Sequence, residues 1–420
     1  MYIPRKRLFW SVSLGHMTND IFMAMGPVLL AFIGTVYFPI SAAQLGVAIS
    51  ARQMLGAVSQ PFFGWLSDRG YGRYLGAGGV AWTASFVALA MFMAIVGNFW
   101  LMVVPFALSA LGSAAFHPVG TAKASQEGDE MASTDTAYFF LMGQTGLALG
   151  PAIAGILLGM TQINGEGGSV MPIIVLSLAA IPSVVFMRFA IPLADRSAKG
   201  IAIEKAKLDA IPRKAIKVVP LLLLATMVLL RGLGYPGSVA FLPELFRSKG
   251  WSPEAYGPIV SMFWISSAVA GVFFGYLAAR FDRRYVMVGS LLAVVPVYIL
   301  LPTIDTWLAY PMTLLMGALV GGSHSIIVVM AQELLPGRKG FASGVTLGFI
   351  FGVGALGTLI IGYMADGIAA FGIAGIGLER SFQVVSASVL LSGFMALLLP
   401  AAKNEPVIVV DSTLEPEGAD

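Results

Sequence analysis

The sequence predicts an all-helical integral membrane protein with twelve spans in two related six-helix halves. Three observations carry this. Of its 420 residues, 57% are hydrophobic and 11% are charged, where a soluble domain would carry about 25% charge. Mean hydropathy is +0.85. His117 and His324, 207 positions apart, each lie inside a long apolar stretch at matching places in the two halves of the chain.

A helix needs about 20 apolar residues to cross a bilayer. Candidate spans fall at 8–36, 42–66, 74–96, 99–124, 134–160 and 170–192, then at 217–246, 253–279, 285–303, 306–334, 340–370 and 380–400. Period-two alternation is scarce, which argues against a membrane barrel. The 49 glycines and 23 prolines suit membrane helices, where both are commoner than in soluble ones. The basic start, Arg5-Lys6-Arg7, precedes an apolar run too long for a cleaved leader, so it reads as a retained first helix.

With the N-terminus inside, 20 of the 25 Lys and Arg fall on one side and three (Arg247, Lys249 and Arg380) on the other; Arg52 and Arg231 lie within spans. That bias predicts cytoplasmic termini and insertion in the cell membrane. The expected organisation is a half at 1–192, a charged cytoplasmic connector at 193–216, a second half at 217–400 and a disordered acidic tail at 401–420. There are no cysteines, so thiol chemistry is excluded. Three histidines scattered along the chain predict no metal site. No Gly-x4-Gly-Lys-Ser/Thr loop is present, so ATP-driven pumping is not encoded. Basic residues are explained by topology rather than by nucleic acid, and no cofactor is implied.

The halves superpose at two offsets. At 207, His117 meets His324, Gly150 meets Gly357 and Gly155 meets Gly362. At 211, Gly64 meets Gly275, Arg69 meets Arg280, Gly26 meets Gly237 and Asp20 meets Arg231. Repeats of this kind place a substrate site between the halves near mid-membrane.

The connection Gly64-Trp65-Leu66-Ser67-Asp68-Arg69-Gly70-Tyr71-Gly72-Arg73 has a degenerate partner in Gly275-Tyr276-Leu277-Ala278-Ala279-Arg280-Phe281-Asp282-Arg283-Arg284. These loops resemble the signature of the major facilitator superfamily. The resemblance makes Gly64, Asp68, Arg69 and Arg73 candidate elements of an inner gate, with Gly64 admitting close helix approach. Gly143, Gly146, Gly150-Pro151 and Gly155 resemble the superfamily's antiporter motif, which implies gating at Gly150 and Pro151 and a tilt toward export.

His16, Asn19 and Asp20 share one face of the first helix by their spacing. By helical rise Asp20 lies about 18 Å deep, with Arg52 and Arg231 at about 22 and 21 Å. An isolated charge at the bilayer centre costs at least about 2.5–3.5 kcal/mol. Asp20 is therefore expected to pair with Arg52 or Arg231 in an aqueous cavity and to be the proton-carrying group. His117 and His324 come out nearer the inner side, as substrate contacts or an inner gate, or else as packing histidines bonded to backbone. Gln53, Gln60 and Gln144 are candidate cavity residues. Glu244, Arg247 and Lys249 could latch an outer gate or form a wetted loop.

Within the superfamily, His16-Met17-Thr18-Asn19-Asp20, Gln60-Pro61 and Gly112-Ser113-Ala114-Ala115-Phe116-His117-Pro118 resemble the fosmidomycin resistance protein group. The resemblance implies proton-driven efflux of a small anionic or amphipathic compound, hence drug resistance, by a monomer in contact with lipid. Val119 and Arg52 depart from that group's pattern, and an extra arginine favours a negative substrate. Uptake of an organic anion by proton symport or uniport remains the alternative. A membrane enzyme would need a nucleophile or metal cluster that the sequence lacks, and cavity charges in both halves speak against a receptor that does not transport.

Overall fold

The computed structural model describes residues 6–124, 132–163, 167–193, 217–334 and 339–401; the side chains at 68, 132–134, 325, 332, 339–345 and 347 are outside that description. So are the expected connector 193–216 and tail 401–420, save for Leu193 and Ala401.

Helices occupy all twelve expected positions. The first span is α1 (Arg7–Ala24) followed by α2 (Gly26–Val36). Then come α3 (Ala42–Leu66), α4 (Gly72–Ile95), α5 (Phe99–Ala124), α6 (Ala132–Gly159), and a sixth span made of α7 (Met171–Leu176) and α8 (Ile181–Ala190). The second half runs through α9 (Val218–Ser248), α10 (Pro253–Arg280), α11 (Arg283–Leu300), α12 (Ala309–Leu334), α13 (Lys339–Asp366) and α14 (Gly377–Ala396). A two-residue hairpin, β1 (Gly367–Ile368) with β2 (Ile373–Ala374), joins the last two helices. Among the described residues, ten spans are long and apolar enough to cross a membrane. α3 and α14 complete the bundle, packed against α13 and α9 respectively.

Local chemistry explains the breaks and starts. Pro27 lacks an N–H and so ends the ladder of α1, dividing a span the sequence predicted as one helix. Pro182 follows the 3-10 turn Ser177–Ala180 that divides the sixth span. α3 opens on a capping box: Ser41 Oγ accepts from Gln44 N at 3.2 Å, and Gln44 Oε1 accepts from Ser41 N at 3.0 Å.

Phe189, Val272 and Met160 are each 78% exposed. So broad an apolar exterior would drive aggregation in water, and it fits a hydrocarbon surround.

The halves meet along two seams. In one, α3 lies on α13: Ser50 Oγ donates to Ala355 O at 2.6 Å, and Ala43 N donates to Asp366 Oδ2 at 2.6 Å. In the other, α6 lies on α10: Ala152 N donates to Ser261 Oγ at 2.9 Å. A side chain at Gly155 would collide with the Pro253 carbonyl, and one at Gly362 would collide with the Ala42 carbonyl. Gly155 and Gly362 are 207 positions apart, and Ala42 and Pro253 are 211 apart, so each seam repeats the other at both offsets of the duplication. The inner copies agree too: Gly150 abuts the Ile21 carbonyl of α1, and Gly357 abuts the carbonyls of Gly232 and Leu233 of α9.

These cross-half contacts sit toward the face remote from the start of α1. Toward the near face, Val58 and Phe62 of α3 are 70% and 56% exposed, and Val269 of α10 is 68% exposed. Among the described residues, the hydrogen bonds between the halves lie toward the far face.

Candidate functional site

The first half gathers three titratable side chains into one contact. His16 Nε2 lies 3.2 Å from Asp20 Oδ2, and His117 Nε2 lies 3.6 Å from Asp20 Oδ1. His16 and Asp20 are one turn apart on α1, so their side chains stack along one face. His117 comes from α5. α6 presses from the other side through a stripe of glycines. A side chain at Gly143 would strike the His16 ring, and one at Gly146 would strike the Met17 carbonyl and crowd Asp20 Cβ. The antiporter-like glycines therefore seat α1 and fix where Asp20 stands.

Both imidazoles are oriented by backbone. His16 Nδ1 lies 2.9 Å from Phe139 O, and its ring stacks on Phe139 with centroids 4.2 Å apart. His117 Nδ1 lies 2.8 Å from Ser113 O. A carbonyl oxygen only accepts, so each Nδ1 carries a hydrogen. Each neutral ring then presents a bare Nε2 to the carboxylate. A bare nitrogen and an ionised oxygen repel, so each of the two contacts becomes attractive only when a proton sits in it. Asn19 steadies the carboxylate: Nδ2 donates to Asp20 Oδ1 at 2.8 Å and to Ser113 Oγ at 3.0 Å, while Oδ1 accepts from Thr83 Oγ1 at 3.0 Å. His16 and Asp20 are buried, whereas the His117 side chain is 27% exposed. His117 is the opening of the cluster.

Several expectations change here. Asp20 was expected against Arg52 or Arg231; among the described residues its titratable neighbours are the histidines. Arg52 is tied elsewhere: Nε to Ser109 Oγ at 3.0 Å, Nη1 to Met23 O at 2.9 Å and Nη2 to Phe22 O at 3.3 Å. Arg231 donates from Nε to Ser323 Oγ at 2.9 Å and from Nη2 to Val320 O at 3.0 Å. His117 was placed below the acid and in fact touches it; counting rise along separate helices ignores their tilt. The histidines, scattered in sequence, also converge more than expected. The ligand atoms of His16, Asp20 and His117 lie within 4.8 Å of one another, a spacing that one divalent ion could also bridge.

The other candidates divide. Gln53 Oε1, Gln144 Oε1 and His324 Nδ1 are buried without a hydrogen-bond partner. A methyl at Gly64 would reach only ordinary contact with Pro118 Cβ at 3.9 Å, so Gly64 is not the tight crossing it was expected to be. Asp68 lies in the kink Ser67–Tyr71 between α3 and α4, where Gly70 has a φ of 87°, and its side chain is outside the described set. Arg69 lies over the Trp65 ring at 3.8 Å, and Arg73 Nε donates to Arg188 O at 2.6 Å, within the first half. Asp282 caps its own helix by accepting from Arg284 N at 2.9 Å. Pro151 sits inside α6 without ending it, next to Ala152 of the seam. At the far face, Glu244 pairs with Arg247, which reaches across the halves to Thr35 Oγ1 at 3.3 Å; Lys249 instead donates to Pro302 O and Ile304 O.

Sequence reasoning missed Phe139, Ser113 and Thr83. Ser113 stands one turn before His117 and was legible; Phe139 and Thr83 meet α1 only through tertiary packing.

The chain matches the family model described as Major Facilitator Superfamily over residues 8–358 and 224–406. It is 27% identical over 410 residues to the "Uncharacterized MFS-type transporter YfnC" of Bacillus subtilis, covering 93% of this chain and 92% of that one. It is 26% identical over 358 residues to the "Fosmidomycin resistance protein" of Escherichia coli, covering 85% and 86%. Among solved structures, a bacterial homolog of the human lysosomal transporter Spinster, inward-facing and occupied, superposes with a TM-score of 0.75 at 15% identity, covering 93% and 96%. The D-xylose–proton symporter superposes at 0.71 with 12% identity, covering 94% and 97%.

Proposed function

The chain belongs to the Major Facilitator Superfamily, and on that premise we propose that it exports a small organic compound in exchange for protons, by alternating access. The observation that carries the coupling is the His16–Asp20–His117 contact, in which two backbone-oriented rings aim bare Nε2 atoms at one carboxylate. The cluster thus has two places for a proton, one in each contact. Filling them turns two repulsions into charge-assisted bonds, and the one at His117 draws α1 and α5 together. Emptying them loosens the same helices, and His117 is where a proton enters or leaves.

The direction is supported by two things. The relative from Escherichia coli is named for resistance to fosmidomycin, and the glycine stripe of α6 lies directly on the acid-bearing helix. The bias of Lys and Arg makes the near face cytoplasmic, with both termini there and the protein in the cell membrane. In that orientation the cross-half hydrogen bonds lie on the outer side, and a compound is taken up from the cytoplasm. Protons then arrive from outside when the halves rock over. The protein works as a monomer, and Gln53 and Gln144, with unpartnered amide oxygens, supply polar contacts to the compound.

The test is proton flux in liposomes containing the purified protein, with fosmidomycin as probe and a trapped pH-sensitive dye. Antiport predicts proton movement opposite to the probe, and Asp20→Asn abolishes the coupling. Movement in the same direction, coupling retained in Asp20→Asn, or flux that follows added divalent cations instead of pH would each overturn the reading.

A further inference from the structure

The second half holds a buried positive charge that, among the described residues, has no negative partner. Arg231 of α9 is 1% exposed, and its Nη1 has no hydrogen-bond partner. Nε and Nη2 are satisfied by Ser323 Oγ and Val320 O of α12, and the guanidinium carbon lies 4.6 Å above the Tyr235 ring. These contacts orient the cation without neutralising it. Along α9 the nearest acid is Glu244, 13 positions on, about 20 Å away by helical rise, and it is taken by Arg247. Glu254, Asp282, Asp305, Glu333, Asp366 and Glu379 all stand in end turns or connections. No helix of this half carries an acid at the depth of Arg231.

Next to Ser323, which Arg231 already bonds, is His324, half-buried. Its Nδ1 is buried and also unpartnered. Arg231 thus has an unused donor and His324 an unused ring nitrogen, on helices that carry no carboxylate at that depth. A neutral or cationic ligand would leave the charge uncompensated; an oxyanion would pair with the guanidinium, and would accept from the ring in the tautomer that carries hydrogen on Nδ1. The place is the counterpart of the proton cluster, since Arg231 stands where the duplication puts Asp20, and His324 where it puts His117.

We propose that Arg231 and His324 form an anion-binding site that holds the acidic group, a carboxylate, phosphate or phosphonate, of the transported compound. The proposal rests on the transport reading and assigns the substrate its class: it must carry an oxyanion. The acid-bearing half then handles protons while the base-bearing half handles the substrate.

Binding can be read without a gradient. Purified protein in detergent is titrated with acetate, inorganic phosphate and methylphosphonate at constant ionic strength, with sodium chloride as reference, and thermal unfolding is followed. At least one oxyanion is expected to raise the midpoint in a saturable way. Arg231→Lys keeps the charge but loses the fork and should weaken binding by about tenfold or more; Arg231→Gln should abolish it, and His324→Gln should weaken it. If Arg231→Gln does not fold, the other two variants decide. No saturable shift from any oxyanion, an equal shift from chloride, or unchanged affinity in Arg231→Lys and His324→Gln would overturn the proposal. Because no proton gradient is present, failure here leaves antiport standing. Conversely, anion binding without coupled flux would sink only the antiport.

Discussion

Arg52 donates from Nη1 to the carbonyl oxygen of Met23 at 2.9 Å, an oxygen that Pro27, four residues on, leaves without a helical donor. Its second amino group reaches Phe22 O, and its ring neighbour is Phe106 at 4.6 Å. Gly26 leaves room for the guanidinium where a Cβ would stand 2.6 Å from Nη1. The buried arginine is a side-chain splice across the break between α1 and α2, held by α3 from outside the first span.

Arg52→Ala should therefore act on stability. It strands the Met23 carbonyl in an apolar setting, a loss of about 1–3 kcal/mol per unpaired group. Thermal unfolding in detergent should show it, while the pH profile of transport by the surviving protein stays unchanged. A normal melt with altered proton coupling would return Arg52 to the proton site.

Gly146→Ala should push α6 off α1 at the level of Asp20. Overpacking of this kind costs about 1–3 kcal/mol. Proton coupling should fall more than probe binding, because the displaced atoms are those of the acid's own turn. Comparing flux with binding affinity in the same preparation separates the two.

Asp366 accepts from the first turn of α3 across the far-face seam. A carboxylate there meets the positive end of the α3 dipole, worth about 0.3–1 kcal/mol. Asp366→Asn should shift the balance toward the state parted at the far face by roughly two- to fivefold. The chain has no cysteine, so one cysteine placed at the far face reports the shift by its labelling rate. An unchanged rate would show that the other contacts hold the seam without Asp366.

Asp282, outside the spans, is held below the ordinary carboxylate value of 3.8, chiefly by the Arg284 side chain and further by its backbone N–H. A lowered value means stability that is present above pH 3.8 and fades as the pH falls through the folded value. Asp282→Asn should thus melt slightly earlier than the native protein at pH 7, with the gap narrowing in acid. A gap that persists unchanged at low pH would mean that the cap acts through shape alone.

Much of the bundle was legible because each span needs a long apolar run and each half repeats the other. His16, Asp20 and His117 were all named by sequence, yet their pairing was not. Opposite charge suggested arginine for Asp20, while the chain gave Arg52 to a proline break and Arg231 to α12. That choice depends on helix rotation, which one-dimensional depth does not contain. Gly64 misled for a related reason: its motif marks a place in the chain, and whether a neighbour presses on it depends on which face is closed. Phe139 and Thr83 carry no sequence signal, since only folding brings α6 and α4 against α1.

The two seams are copies, Gly155 on Pro253 and Gly362 on Ala42, while the interiors have parted company, an acid on one side and a base on the other. A twofold dimer of identical halves must place the same residue on both sides of its axis. It would have two acids facing each other, or two bases. Covalent fusion removes that constraint and leaves the seams symmetric while the interior becomes polarised from one half to the other. A tandem of two first halves should therefore assemble and rock, yet lack the cationic pole.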